Sequence, residues 1–130
     1  MNDKLPPHAH GAEQALLGCQ IADSNSIMAV SERLGSDAAF HYDHRHQEIQ
    51  RIIFRLFGDG NPVEIITIQE ALKERGMLEN IGGIAYLSAL LDSFTTVHNL
   101  PYYIEQIEEK ASLRRLVQLC ESFSAKAMSG

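Results

Sequence analysis

Basic residues are scarce in this sequence of 130 residues, and tryptophan is missing altogether. Eleven Lys and Arg stand against 17 Asp and Glu, which gives a formal net charge of −6. The cations and anions of residues 99–130 balance each other, so the negative excess lies in residues 1–98. An acidic surface repels a phosphate backbone, and we therefore expect no direct contact between this chain and DNA.

The motifs that bind nucleotides or metals are also missing. The sequence contains no Gly-x-x-x-x-Gly-Lys-Ser/Thr, no Gly-x-Gly-x-x-Gly and no Cys-x-x-Cys, so we predict no cofactor site and no metal site. Glu108 and Glu109 are adjacent carboxylates on a predicted helix, but adjacent side chains point about 100° apart and cannot flank one bond. We therefore predict no catalytic residues, and the chain is not expected to be an enzyme.

Cysteines are few, and long apolar runs do not occur. Cys19 and Cys120 both fall on apolar helix faces, which predicts free, buried thiols in a reducing cytosol. No stretch approaches the roughly 20 apolar residues of a membrane span, and residues 1–10 lack the apolar segment of a signal peptide. We expect a cytoplasmic protein.

The residues that are present favour an all-α fold, with 45% hydrophobic and only 7% aromatic residues. We predict a flexible N-terminal arm (1–10), a compact head of about five helices (11–98) and a long final helix (99–130). The head helices are predicted at 11–22, 26–34, 43–57, 67–76 and 82–94. The third has the clearest helical period, in Ile49, Ile52, Ile53, Leu56 and Phe57.

Local signals refine three of these helices. Gly18 in the middle of the first helix predicts the close approach of another helix. Thr67 with Glu70 reads as a capping box that opens the fourth helix, after an extended segment at 63–66. In the fifth, Ile84 is predicted to be buried together with Leu87, Leu90, Leu91 and Phe94, whereas Tyr86 points elsewhere.

Between Pro101 and Gly130 the sequence contains no Gly or Pro, which predicts a helix of roughly 40 Å for residues 99–130. Its apolar positions fall close to a heptad seam. We call these residues the outer seam: Leu113, Leu116, Cys120, Phe123 and Ala127. One helix cannot cover such a seam alone, so we predict a truncated assembly arm.

Two other functional classes stay open. A helix-turn-helix DNA-binding module would use residues 67–76 and 83–94, but residues 84–92 carry no positive charge for a major groove. A metal-binding protein would use some of the six histidines, among them His8, His10 and the pair His41 and His44. We expect the start of a helix at Asp43 to separate the imidazoles of that pair, and metal analysis would decide.

An ordered set of short motifs supports a more specific identification. The set comprises Ala12-Glu-Gln-Ala-Leu-Leu-Gly18 after Pro-Pro-His, His46-x-x-Ile49, Gly60-x-Pro62, Thr67, Gly82-Gly-Ile-Ala-Tyr-Leu87, Asn99-x-x-x-Tyr103-x-x-x-Ile107, Lys110 and Leu113-Arg114. In this order the chain resembles the N-terminal domain of DnaB-type bacterial replicative DNA helicases. Two features depart from the family: residues 36–43 carry additional His and lack the usual Asp-Phe-Tyr run, and Gln50 replaces an aromatic residue.

The resemblance implies a non-catalytic collar domain, a helical head followed by a hairpin that pairs between subunits of a hexameric ring. It implies primase and a helicase loader as partners, and a separate motor domain that uses ATP and Mg²⁺. For primase docking it leads us to nominate Tyr86, Val117 and Phe123, and it does not say which primase or loader binds. Half a hairpin should pair poorly, so we expect this chain to be a monomer or a weak dimer.

Overall fold

The computed structural model describes residues 5–94 and 96–130, and every regular element in these ranges is helical. The elements are α1 (His10–Ala22), α2 (Ser26–Leu34), a 3-10 turn (Ala38–Phe40), α3 (His44–Gly58), α4 (Ile65–Glu74), α5 (Gly83–Ser93), a second 3-10 turn (Val97–Asn99) and α6 (Leu100–Ser129). The all-α prediction, a head of five helices followed by one long helix, is confirmed. Within the described ranges, no helix combines the length and the apolarity that a membrane crossing needs.

The helix α1 lies at the centre of the molecule and packs against α3, α5 and α6. Its two neighbouring leucines point into two different cores. Leu17 packs with side chains from α3, α4 and α5, and Leu16 packs with side chains from α2 and the first turns of α6. Both leucines are fully buried, so α1 joins the two halves of the hydrophobic interior.

Gly18 sets the distance between α1 and α5. A Cβ atom added there would lie 2.0 Å from the carbonyl oxygen of Leu90, which is far inside van der Waals contact. The predicted close approach of a second helix at Gly18 is therefore confirmed, and the neighbour is the backbone of α5.

The predicted start of α4 is wrong by two residues. The helix begins at Ile65, so Ile65 and Ile66 lie in its first turn and are not extended. The Thr67 hydroxyl accepts a hydrogen bond from the backbone N–H of Glu64 at 3.1 Å, so Thr67 supports the helix start from inside the first turn. Ile84 was also mispredicted, because 47% of its surface is exposed at the start of α5.

The segment before α1 contacts the helical head. The His8 ring stacks on Tyr42 with centroids 4.7 Å apart, and His10 is already the first residue of α1. Of the predicted flexible arm, residues 1–4 lie outside the described ranges, as does Thr95 in the predicted connection to the last helix. Flexibility of the arm stays a prediction.

The contact at Gly18 yields a test of the packing. Gly18→Ala should lower the free energy of unfolding by about 2–3 kcal/mol, because α1 and α5 must move apart to admit a methyl group. Gly11→Ala is the matched control, since Gly11 also lies in α1 but has no atom within 4 Å of an added Cβ. Removing that glycine should raise stability by up to about 1 kcal/mol. Urea unfolding measures both, and equal effects of the two substitutions would refute the close packing.

Candidate functional site

One side of α6 holds the helix against the head. Leu100, Ile104 and Ile107 are buried there, and half-buried Ala111 and Arg114 continue the same row. Their spacing of three or four residues keeps these side chains on one side of a helix that turns about 100° per residue. The first half of α6 is therefore part of the folded body.

Arg114 makes the last of these contacts along the row. Its guanidinium donates hydrogen bonds to the carbonyl oxygens of Pro7 and Phe40, each at 2.8 Å, and lies 5.6 Å from the centre of the Tyr42 ring. Burial lowers the pKa of Arg114, but an arginine remains charged at neutral pH. The two carbonyls come from separate segments, so Arg114 fixes the direction in which α6 leaves the head.

The outer seam lies on the opposite side of α6. At about 100° per residue, its five positions point on average about 180° away from the row that faces the head. Leu116 is 56% exposed and Phe123 is 64% exposed, and the other three residues are exposed as well. Within the described ranges, the chain itself does not cover this apolar face. The prediction that Cys120 is buried is therefore wrong, while Cys19 is buried as expected.

The three residues nominated for docking do not form one surface. Phe123 belongs to the outer seam, and Val117 lies six positions away, about 120° around the helix. Val117 instead borders a cavity of about 410 Å³ between α6 and the segment 39–42. Tyr86 lies on α5 and is half-buried, with its hydroxyl 2.6 Å from Nε2 of His46.

That hydroxyl belongs to a buried polar network that sequence reasoning missed. We call it the polar cluster, and its members are Glu13, Gln20, His41, His46, Gln50 and Tyr86. Glu13, His41 and His46 are each no more than 2% exposed. Packing of α1 against α3 brings Nδ1 of His46 to 2.7 Å from Oε1 of Glu13, although 33 residues separate them. The one available signal was Glu13 itself, an acidic side chain inside an apolar helix.

Glu13 is charged within this network. Burial alone raises the pKa of its carboxyl, but the imidazoles of His41 and His46 and the backbone N–H of Tyr42 favour the carboxylate more strongly. The pKa of Glu13 therefore lies well below its ordinary value. Tyr42 donates to Oε2 of Glu13 at 2.8 Å, so the carboxylate ties α1 to the segment that leads into α3.

Gln50, at a position where the resemblance leads us to expect an aromatic residue, is buried and paired. Gln20 and Gln50 exchange two side-chain hydrogen bonds, each 2.8 Å long. Oε1 of Gln50 also lies 3.0 Å from Nε2 of His41. Both polar atoms of the amide at position 50 thus have partners inside the protein, where an unpaired amide would be costly.

The histidines are arranged differently from the prediction. His44 is exposed at the start of α3, and the structure pairs His41 with His46 around Glu13. A second group joins His10 and His46 to Asp43 at 3.9 and 4.0 Å. Burial raises the pKa of Asp43, but hydrogen bonds with Arg45 outweigh it and bring the value to about 2.

Comparison with known proteins gives one consistent result. Residues 5–109 match the family model of the DnaB-like helicase N-terminal domain. The chain is 37% identical over 118 residues to the replicative DNA helicase DnaC of Bacillus subtilis and 36% identical over 123 residues to the replicative DNA helicase DnaB of Geobacillus stearothermophilus. These matches cover 91% and 95% of this chain but 26% and 27% of the relatives. The chain thus spans about a quarter of their length.

A solved structure agrees with this result. The crystal structure of the N-terminal domain of DnaB helicase from Mycobacterium tuberculosis superimposes with a TM-score of 0.91 at 35% sequence identity. The superposition covers 97% of this chain and 90% of the other. The two proteins therefore share their fold over nearly their whole length.

The charge on Glu13 predicts a loss of stability in acid. In the folded chain the pKa of Glu13 is below the value of 4.5 for the free side chain. The contribution of this carboxylate to the free energy of unfolding is therefore fully present above that pH and is lost as the pH falls. Between pH 7 and pH 3 the loss should be about 2 kcal/mol. Glu13→Gln should lower stability at pH 7 by about 2 kcal/mol and show a correspondingly smaller loss in acid.

Urea unfolding at the two pH values measures this effect. The control is Glu70→Gln on the exposed surface of α4, which should keep the acid sensitivity of the parent chain. If Glu13→Gln loses as much stability in acid as the parent does, Glu13 is not the buried carboxylate that this account requires.

Proposed function

The chain belongs to the family of DnaB-like helicase N-terminal domains, and from this premise we propose that it is a non-catalytic collar module of a replicative DNA helicase. Its task in this proposal is to join subunits and to dock primase or a helicase loader. The strand-separating activity, which uses ATP and Mg²⁺, would belong to the remaining three quarters of such a protein.

The observation that carries the proposal is the uncovered outer seam. The head already holds α6 by its opposite side, through Ile104, Ile107 and Arg114. The seam can therefore receive a second helix without disturbing the head. A heptad spacing of apolar residues is what a partner helix recognises by knobs-into-holes packing. A second helix from the same hairpin or from another subunit meets this requirement.

The size of the seam supports weak pairing by this chain alone. Full burial of one large apolar side chain contributes roughly 1.5–3 kcal/mol, and the seam has three of them, Leu113, Leu116 and Phe123. Association costs about 4–15 kcal/mol in lost freedom of motion. A dimer buries the seams of both copies, but each of these side chains is already about half covered in the single chain, so the gain is similar in size to the cost. We therefore propose a monomer or a weak dimer, and a stable hexamer that needs both arms of the hairpin.

The surface of α5 argues against the helix-turn-helix alternative. Leu87 and Leu90 face the core, and the exposed positions Ala85, Ser88 and Asp92 provide no cation. A recognition helix needs polar and basic side chains on its outer face. The collar proposal needs no DNA contact from this domain.

Self-association tests the assembly role. In sedimentation velocity over a broad concentration series, the parent chain should show a monomer that converts weakly to a dimer. Leu116→Ser combined with Phe123→Ser should remain monomeric, because it removes two of the large seam residues. Gln118→Ser, on the opposite side of the same helix, should behave like the parent. A tight hexamer of the parent chain, or a dimer unaffected by the double substitution, would refute the proposed role of the seam.

Primase affinity tests the docking role. We expect Phe123→Ala and Val117→Ala to weaken binding with little effect on Tm, since Phe123 is 64% exposed and Val117 is 42% exposed. Tyr86→Ala should weaken binding and also lower Tm, because it breaks the hydrogen bond to His46. Tyr86→Phe keeps the ring and separates the two effects. Unchanged primase affinity in all of these variants would exclude these residues as the docking site.

A further inference from the structure

One nitrogen atom of the polar cluster has no hydrogen-bond partner. Nε2 of His41 lies 3.0 Å from Oε1 of Gln50, a carbonyl oxygen that can only accept, so Nε2 carries a hydrogen. Nδ1 of His41 is buried and makes no hydrogen bond within the described ranges. It points toward the Glu13 carboxylate, with 3.5 Å between Nδ1 and Oε1. A buried polar nitrogen without a hydrogen bond is costly, and a cation between Nδ1 and the carboxylate would pair with both.

Two further donor atoms surround the same point. Glu13, His41 and His46 each offer one ligand atom, and these three atoms lie within 4.8 Å of one another. Oε1 of Glu13 is 3.5 Å from Nδ1 of His41 and 2.7 Å from Nδ1 of His46. Two imidazole nitrogens and one carboxylate oxygen form a ligand set that suits Zn²⁺. We propose that these three atoms bind one zinc ion, with water as the fourth ligand.

The surroundings orient each ligand as metal sites require. The far nitrogen of His41 is held by Gln50, and that of His46 lies 2.6 Å from the hydroxyl of Tyr86. The second oxygen of Glu13 accepts from the backbone N–H of Tyr42. Such outer hydrogen bonds fix the ring orientations and the tautomers of metal ligands.

Zinc binding requires a small and defined rearrangement. Ligands about 2.1 Å from a tetrahedral ion lie roughly 3.4 Å from each other, whereas Nδ1 of His46 and Oε1 of Glu13 are 2.7 Å apart. The ion must move them apart by about 0.7 Å and must take the place of the hydrogen on Nδ1. The hydrogen of His46 then resides on Nε2, which donates to the oxygen of Tyr86.

The site lies next to a cavity. His41 borders the cavity of about 410 Å³ beside Val117 and Gln118. The His41 side chain itself is 0% exposed, so an ion enters from this cavity only when neighbouring side chains move. Bound zinc would join α1, the segment before α3 and α3 itself.

Calorimetric titration of the metal-stripped chain with Zn²⁺ tests the proposal. We expect one ion per chain, a rise in Tm with zinc concentration and weaker binding in acid, because protons compete for the imidazoles. His41→Gln should weaken binding about 100-fold or more, and Tyr86→Phe, which keeps all three ligands, about tenfold. His44→Gln, which changes an exposed histidine nearby, should bind zinc like the parent.

Nitrogen NMR of the imidazoles supplies a second measurement that does not depend on how the variants fold. With zinc, His46 should carry its hydrogen on Nε2 and His41 should have a metal-bound Nδ1. The absence of stoichiometric zinc binding by the parent chain would overturn the proposal, and so would a hydrogen on Nδ1 of His41 in the presence of excess zinc. Equal loss of affinity in His44→Gln would also overturn it, because it would indicate nonspecific binding.

Discussion

The contact between α1 and α5 at Gly18 is the constraint on which the rest of the head depends. The carbonyl of Leu90 occupies the space that any larger residue at position 18 would fill. With α1 held this closely, its surface is enclosed on nearly all sides, and one helix serves two hydrophobic cores. The same placement buries Glu13 next to His46 and gives Ile104 of α6 a surface to pack on.

The helix α6 packs against α1 and has two different roles. Its first turns complete the interior of the head, and Arg114 ends that contact with two backbone hydrogen bonds. Beyond Arg114 the apolar residues continue on the other side, where 64% of Phe123 is exposed. A face of this kind raises the free energy of an isolated chain in water and lowers that of a paired one. The same helix thus supports both the fold and the proposed assembly role.

Local patterns predicted the helices, because helical periodicity depends on neighbouring residues only. Ile49, Ile52 and Ile53 marked α3, and a run without Gly or Pro marked α6. The contact of Glu13 with His46 could not be predicted, since it joins residues that meet only after α1 and α3 pack. The exposure of Cys120 shows the same limit, because a heptad spacing identifies an apolar face but does not identify what covers it.

The most direct test of the account uses Cys120 as a reporter on the outer seam, with buried Cys19 as an internal reference. The rate constant for alkylation of Cys120 is measured over a range of chain concentrations. If the seam is a contact surface for another helix, the rate constant should fall as the concentration rises, because pairing shields the thiol. A rate constant that stays the same at all concentrations would contradict the central claim that this face of α6 pairs.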